Sequence, residues 1–143
     1  DTVGLLKMNL ENKNLVLKNH ITNDTIVYAD YNMVSTVLRN LLSNAIKFSH
    51  EGNQIELNAK PTNGFIQLEV TDYGVGINKE DQKKIFQIGH NIAKNGTANE
   101  KGTGLGLLVC KEFIEKHNGK ISLESVPCKG TKFFFTLPKD KNY

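Results

Sequence analysis

What this chain of 143 residues lacks is informative first. It has two cysteines, Cys110 and Cys128. That is too few for a disulfide framework and in keeping with a reducing cytoplasm. Cys110 falls inside an apolar helical pattern and reads as a small core residue. No apolar run approaches the roughly 20 residues of a membrane span, and no signal peptide is visible. There is no arginine-rich run; the basic residues are scattered and the net charge is only +3, which argues against nucleic acid as the main partner. Repeats, low-complexity tracts and interdomain linkers are also missing. What remains is a globular composition, 38% hydrophobic and 23% charged, long enough for one domain with its own core. The chain opens directly on helix-forming sequence, so we expect a single domain over 1–143, cut from a larger protein.

Periodicity gives the elements. Residues 2–12 carry a loose helical pattern. Leu15–Leu17 and Thr25–Tyr28 read as short strands, split by the polar turn Thr22-Asn23-Asp24. Asp30 is a good N-cap for a long helix reaching Phe48. Ile55, Leu57 and Ala59 alternate with polar residues, as do Ile66, Leu68 and Val70, and Pro61–Gly64 supplies turn chemistry between them. Asn78 caps a short helix over 79–86. Residues 104–118 form another helix, stopped by Gly119, and Lys120–Ser125 and Thr131–Leu137 close the chain as strands. The expected architecture is α+β: a two-layer sandwich in which a mixed, mainly antiparallel sheet of about five strands is covered on one face by about three helices.

Residues 101–107, KGTGLGL, place Gly102, Gly104 and Gly106 directly before a helix. The phosphate-loop pattern fails because no lysine follows the last glycine, and the dinucleotide fingerprint fails at Leu107. Bare backbone before a helix N-terminus still favours phosphate; glycines used only for turning are the plain alternative. In the long helix, Val34, Val37, Leu38, Leu41, Leu42, Ala45 and Ile46 form the apolar stripe. Asn40, Asn44 and Lys47 fall within roughly 60° of one another on another face. Asparagine is a poor helix-interior residue, an amide oxygen can ligate Mg²⁺, and a lysine can hold phosphate; a solvated polar face is the alternative. Asp72 ends a buried strand just before Gly74 and Gly76. A carboxylate there is costly unless paired. It could accept from an exocyclic amine such as that of adenine, with the glycines giving the ring room, or cap its own turn.

Together, Asn40-Leu-Leu-Ser-Asn44-Ala-Ile-Lys47-Phe48, Asp72-Tyr-Gly74-Val-Gly76-Ile77, Phe86, Gly102-Thr-Gly104-Leu-Gly106-Leu107 and Gly130-Thr131-x-Phe133 resemble the N, G1, F, G2 and final glycine boxes of the sensor histidine kinase catalytic domain. This is the ATP-binding (Bergerat) fold shared with DNA gyrase, mismatch-repair and heat-shock chaperone ATPases. The likeness covers nearly the whole chain, in the family's order and spacing.

The resemblance implies roles residue by residue. Asn44 would coordinate the Mg²⁺ bridging the phosphates, with Asn40 near the metal and its waters and Lys47 on phosphate; these three form the implied catalytic set. Phe48 would lie beside the nucleotide. Asp72 would bind the adenine amine, Thr131 would assist through water, and Gly74, Gly76 and Ile77 would shape the base pocket. Lys101, Gly102, Thr103, Gly104, Leu105 and Gly106 would run along the phosphates, with Leu107 near the base. Residues 87–101, including Gly89 and Gly96, would be a mobile lid, and Lys94 and Lys101 are both open as its cation. The water-splitting relatives carry a glutamate base where Asn40 stands, so an amide there points to phosphoryl transfer rather than hydrolysis. None of His20, His50, His90 and His117 reads as the phosphorylated histidine; His50 reads as a surface residue beside Glu51. Two departures stand out. The chain starts late, so the first strand should be missing or truncated, and Pro127-Cys128-Lys129 replaces the usual small residues.

The implied activity is binding of Mg-ATP and transfer of its γ-phosphoryl group to a histidine on a separate dimerisation domain, which then serves a response regulator. The domain itself would be a monomer with no nucleic-acid or membrane contact, on the cytoplasmic side of a membrane-anchored sensor. A non-catalytic nucleotide-sensing module, or less readily an ATPase of the same fold, are the alternatives.

Overall fold

The computed structural model describes residues 2–86 and 106–141. The expectations for Gly89, His90, Lys94, Gly96, Lys101, Gly102, Thr103, Gly104 and Leu105 lie outside those residues.

Helix α1 (Thr2–Asn12) leads into strand β1 (Val16–Asn19). Helix α2 (Tyr31–Phe48) begins where Asp30 accepts a hydrogen bond from Met33 N–H at 2.9 Å, the N-cap read from sequence. Its stripe is inward as patterned: Val37, Leu41, Ala45 and Ile46 are buried, and Val34, Leu38 and Leu42 pack around them. Strands β2 (Gln54–Thr62) and β3 (Phe65–Asp72) form the hairpin. Helices α3 (Lys79–Lys84) and α4 (Gly106–Lys116) precede strands β4 (Ile121–Val126) and β5 (Gly130–Pro138).

The sheet has five strands in the order β1-β2-β3-β5-β4. Only the β1–β2 pair is parallel. Register sorts the side chains: Ile55, Leu57, Leu68, Val70, Phe133, Phe135 and Leu137 share the face that packs on the helices. The other face is polar, with Glu69 between Lys60 (3.3 Å) and Lys132 (4.0 Å). Burial pushes the Glu69 carboxyl up, but the Gln67 side-chain hydrogen bond (2.8 Å) and the two lysines outweigh it and draw the carboxyl below its ordinary value.

Three expectations need correction. Thr25–Tyr28 is not a strand: Tyr28 N–H reaches Pro138 O at 2.8 Å, but Ile26 and Tyr28 stay exposed and no ladder forms. The first strand is short, a four-residue edge strand, in keeping with the strand read near Leu15–Leu17 and with truncation. Pro61 lies inside β2, paired with Ile66, and the turn shrinks to Asn63-Gly64. At the end of α4 the left-handed residue is Asn118 (φ 60°), not Gly119; Gly119 N–H closes the helix by donating to Ile114 O at 3.1 Å.

Candidate nucleotide site

The apolar inner face of the sheet ends in a polar row. Register puts Asp72 of β3 opposite Thr131 of β5, and Thr131 opposite Ser125 of β4. Asp72 and Thr131 are each 6% exposed. Asp72 Oδ1 accepts from Gly74 N–H at 3.0 Å, so this carboxylate does cap its own turn. Burial nevertheless dominates and raises its pKa from 3.8 to about 6, against the lowering effect of the Gly74 and Thr131 N–H groups. Among the described residues no ion pair neutralises this buried acid, which suits it to a ligand hydrogen bond.

The loop after Asp72 is held by backbone contacts. Val75 N–H donates to Phe48 O at 3.1 Å, and Cys128 N–H donates to Val75 O at 2.7 Å. A Cβ on Gly74 would stand 1.9 Å from Phe48 O, and one on Gly76 2.3 Å from Val126 O. The space these glycines leave is therefore filled by neighbouring backbone rather than left open for a ring, a correction to the expected use of their bareness. Ile77 N–H donates to Ser125 Oγ at 2.8 Å.

Helix α2 joins this loop to the start of α4. At one end of its polar strip Phe48 meets the 72–77 loop. At the other, Asn40 lies against Gly106, where a Cβ would come 3.0 Å from Asn40 Oδ1. The Asn40 side chain also neighbours Cys110, whose thiol is pushed up to about 12 by burial and whose Sγ meets Val37 O at 3.8 Å. Asn44, half-buried, sits between. Lys47 is only 8% exposed, and its Nζ lies 4.9 Å from the Phe48 ring centroid. Leu107 packs at the core edge, and Phe86 meets Phe133 edge-on at 6.4 Å. Asn40, Asn44, Lys47, Phe48, Asp72, Gly74, Gly76, Ile77, Gly106, Leu107 and Thr131 thus lie on α2, on β3 and the loop after it, at the start of α4 and on β5.

This combination of sheet, helices and polar strip has known counterparts. A profile of the family described as histidine kinase-, DNA gyrase B-, and HSP90-like ATPase matches residues 29–141. The chain belongs to that ATPase family. Within the family it is a histidine kinase catalytic domain. It is 38% identical over 144 residues to the adaptive-response sensory kinase SasA of Thermosynechococcus vestitus, covering 96% of this chain and 36% of that protein. It is 36% identical over 124 residues to the sensor histidine kinase WalK of Bacillus subtilis, covering 85% of this chain and 20% of WalK. The nucleotide-free catalytic domain of histidine kinase ThkA superposes with a TM-score of 0.81 at 30% identity, covering 96% of this chain and 88% of that one. The chain spans about a third or less of the curated relatives' length.

Sequence reasoning missed two residues of this histidine kinase domain. Ser125 takes the Ile77 N–H, meets Thr131 Oγ1 at 2.8 Å and donates to Gly130 O at 2.7 Å. The alternation of Ile121, Leu123 and Ser125 would have pointed to it. Gln82 of α3 donates to Ile77 O at 2.6 Å and Ser125 O at 3.1 Å, tying the loop to β4; no periodicity marks it. Away from the strip, His117 Nδ1 meets Phe113 O at 2.7 Å. A carbonyl only accepts, so that nitrogen carries the proton, which leaves Nε2 to take Asp30 N–H at 2.9 Å. His117 is thus engaged in joining the end of α4 to the start of α2, while His20 and His50 are exposed. An open cleft lined by Tyr28, Asp30, Lys116 and His117 lies at the start of α2.

Among the described residues no three His, Cys, Asp or Glu side chains gather to hold a metal. The strip offers amide oxygens instead. Neutral hard donors without a protein cage fit a cation such as Mg²⁺, which keeps its waters and arrives with phosphates. No helix among the described residues is long and apolar enough to cross a membrane.

Proposed function

We propose that this domain binds Mg-ATP along the α2 strip and presents the γ-phosphate to a histidine carried by a separate dimerisation domain. The observation that carries the reading is Asp72: a buried, acidic acceptor at the end of the sheet, beside Thr131 and one loop away from Asn44 and Lys47. Asp72 would accept from the adenine amine, and Thr131 would hold a water beside it. Asn44, with Asn40 nearby, would hold Mg²⁺, which supplies charge neutralisation on the phosphates. Lys47 adds a fixed positive charge. The amide of Asn40 cannot remove a proton from water, and its contacts with Gly106 and Cys110 engage it in joining the two helices. That supports transfer to an external acceptor over hydrolysis. The response regulator downstream, and the membrane-anchored, cytoplasm-facing sensor expected around this domain, belong to the same proposal.

Calorimetric titration with a non-hydrolysable ATP analogue tests it, with and without Mg²⁺ and beside a GTP analogue. Adenine-selective, Mg²⁺-dependent binding that collapses in Asp72→Asn supports the reading, and phosphotransfer from ATP to a supplied histidine domain completes it. Equal binding of GTP refutes the adenine role. Turnover of ATP alone at ordinary enzymatic rates refutes transfer.

A further inference from the structure

The last turn of α2 carries Asn44, Lys47 and Phe48, and helix geometry leaves its final four carbonyls without intrahelical partners. Each finds a specific donor. Ser49 Oγ donates to Ala45 O at 2.6 Å, and Val75 N–H donates to Phe48 O at 3.1 Å. The two carbonyls between them, of Ile46 and Lys47, are both taken by Lys13 Nζ, at 2.8 and 3.0 Å. Lys13 belongs to none of the glycine or asparagine motifs. It sits in the turn between α1 and β1, 6% exposed, and its own carbonyl accepts from Gly52 N–H at 3.2 Å. A buried cation thus closes the negative end of the helix dipole where the phosphate-side residues are presented.

We propose that Lys13 is a positioning residue for the phosphate half of the site. By gripping the Ile46 and Lys47 carbonyls it sets the orientation of the turn that displays Asn44 and Lys47. The adenine half meets this turn only at the Val75–Phe48 bond and the Gly74 approach, and Asp72 itself is held by the β3–β5 ladder, with Ser125 and Gln82 fixing Ile77. The inference rests on the ATP reading above.

Lys13→Met keeps the buried stem and removes the donors. In the 143-residue chain, binding of a non-hydrolysable ATP analogue with Mg²⁺ is compared with binding of adenosine, on protein verified as folded. Lys13→Met weakens the analogue about tenfold or more and leaves adenosine within about twofold. Lys13→Arg, with charge and donors kept, restores the analogue. Combined with Lys47→Met, the loss is smaller than the product of the separate losses, because both act through one turn. No loss, equal loss of both ligands, or a fully multiplicative double variant overturns the proposal. Amide exchange at Val75, read without ligand, accelerates in Lys13→Met relative to Val70 and Phe135 of the core sheet; an unchanged ratio also overturns it. Should Lys13→Met not fold, Lys13→Gln and Lys13→Arg carry the exchange comparison, with Gln fast and Arg slow, and equal rates refute it. A parent chain that binds no nucleotide defeats the ATP reading, while the exchange result still decides the role of Lys13.

Discussion

Replacing Asp72 by Asn should stabilise the folded domain at neutral pH while removing its preference for adenine. Burial raises the carboxyl from 3.8 to about 6, so the folded state holds this proton more tightly than the unfolded chain does. The stability contributed by the neutral acid is therefore complete below about pH 3.8 and is lost as the pH rises through about 6. At about 1.4 kcal/mol per tenfold change in proton affinity, the ionised carboxylate costs on the order of 2–3 kcal/mol at neutral pH. Asn does not titrate. Its oxygen can still accept from Gly74 N–H, while its NH₂ faces the donors that the carboxylate accepted from. That exchange is a constant offset, so the test is the pH dependence of the difference between parent and variant. Urea unfolding of both proteins from about pH 4 to 7.5 should show the difference moving by roughly 2–3 kcal/mol in favour of Asn, mostly before about pH 6.5. A flat difference would refute the claim that this carboxyl is desolvated on folding, and with it the physical reason for expecting a ligand there.

The same titration predicts that affinity for an ATP analogue falls as the pH drops through about 6, because ionised Asp72 is the better acceptor; calorimetry between about pH 5 and 8 measures it, and an affinity flat through that range refutes it. Gly74→Ala, whose Cβ would stand 1.9 Å from Phe48 O, must push α2 from the loop and should cost about 3 kcal/mol or more by denaturant unfolding, with nucleotide binding lost. His117→Ala strips partners from Asp30 N–H and Phe113 O and should destabilise by about 1–3 kcal/mol, with adenosine affinity unchanged in the folded protein.

The helices were legible where pattern and cap agreed. Asp30 and Asn78 mark true starts because a side-chain acceptor sits three residues before an orphan N–H. Thr25–Tyr28 misled because alternating apolar residues imply a strand only if a neighbour supplies a ladder, and β5 offers the segment only its end. Pro61 misled because its missing N–H marks turns, yet it is also tolerated in the ladder here. The site's residue types were legible from spacing, since Asn40, Asn44 and Lys47 share a face by helix geometry alone. Their supports were not. Lys13 reaches carbonyls more than thirty positions away, and Ser125 and Gln82 act on the backbone of Ile77. Apart from Ser125, which continues the alternation of β4, these supports leave no periodic trace. The glycines were seen but given the wrong neighbour: nothing local announces that Phe48 O and Val126 O fill the space beside Gly74 and Gly76.

The 72–77 loop meets the β4–β5 turn and the end of α2 largely through main-chain atoms, in the Val75–Phe48 and Cys128–Val75 bonds and the two close glycine approaches. Outside Gly74 and Gly76, where a Cβ would meet backbone, any amino acid that can adopt the local dihedrals brings the same atoms. The side chains of Tyr73, Val75, Val126 and Cys128 are exposed and take no part in those joints. The frame around Asp72 is thus indifferent to what is written on its rim. Pro127-Cys128-Lys129 can stand on that rim, with only Cys128 held to a left-handed backbone (φ 67°) that favours glycine, while the buried acid keeps its setting.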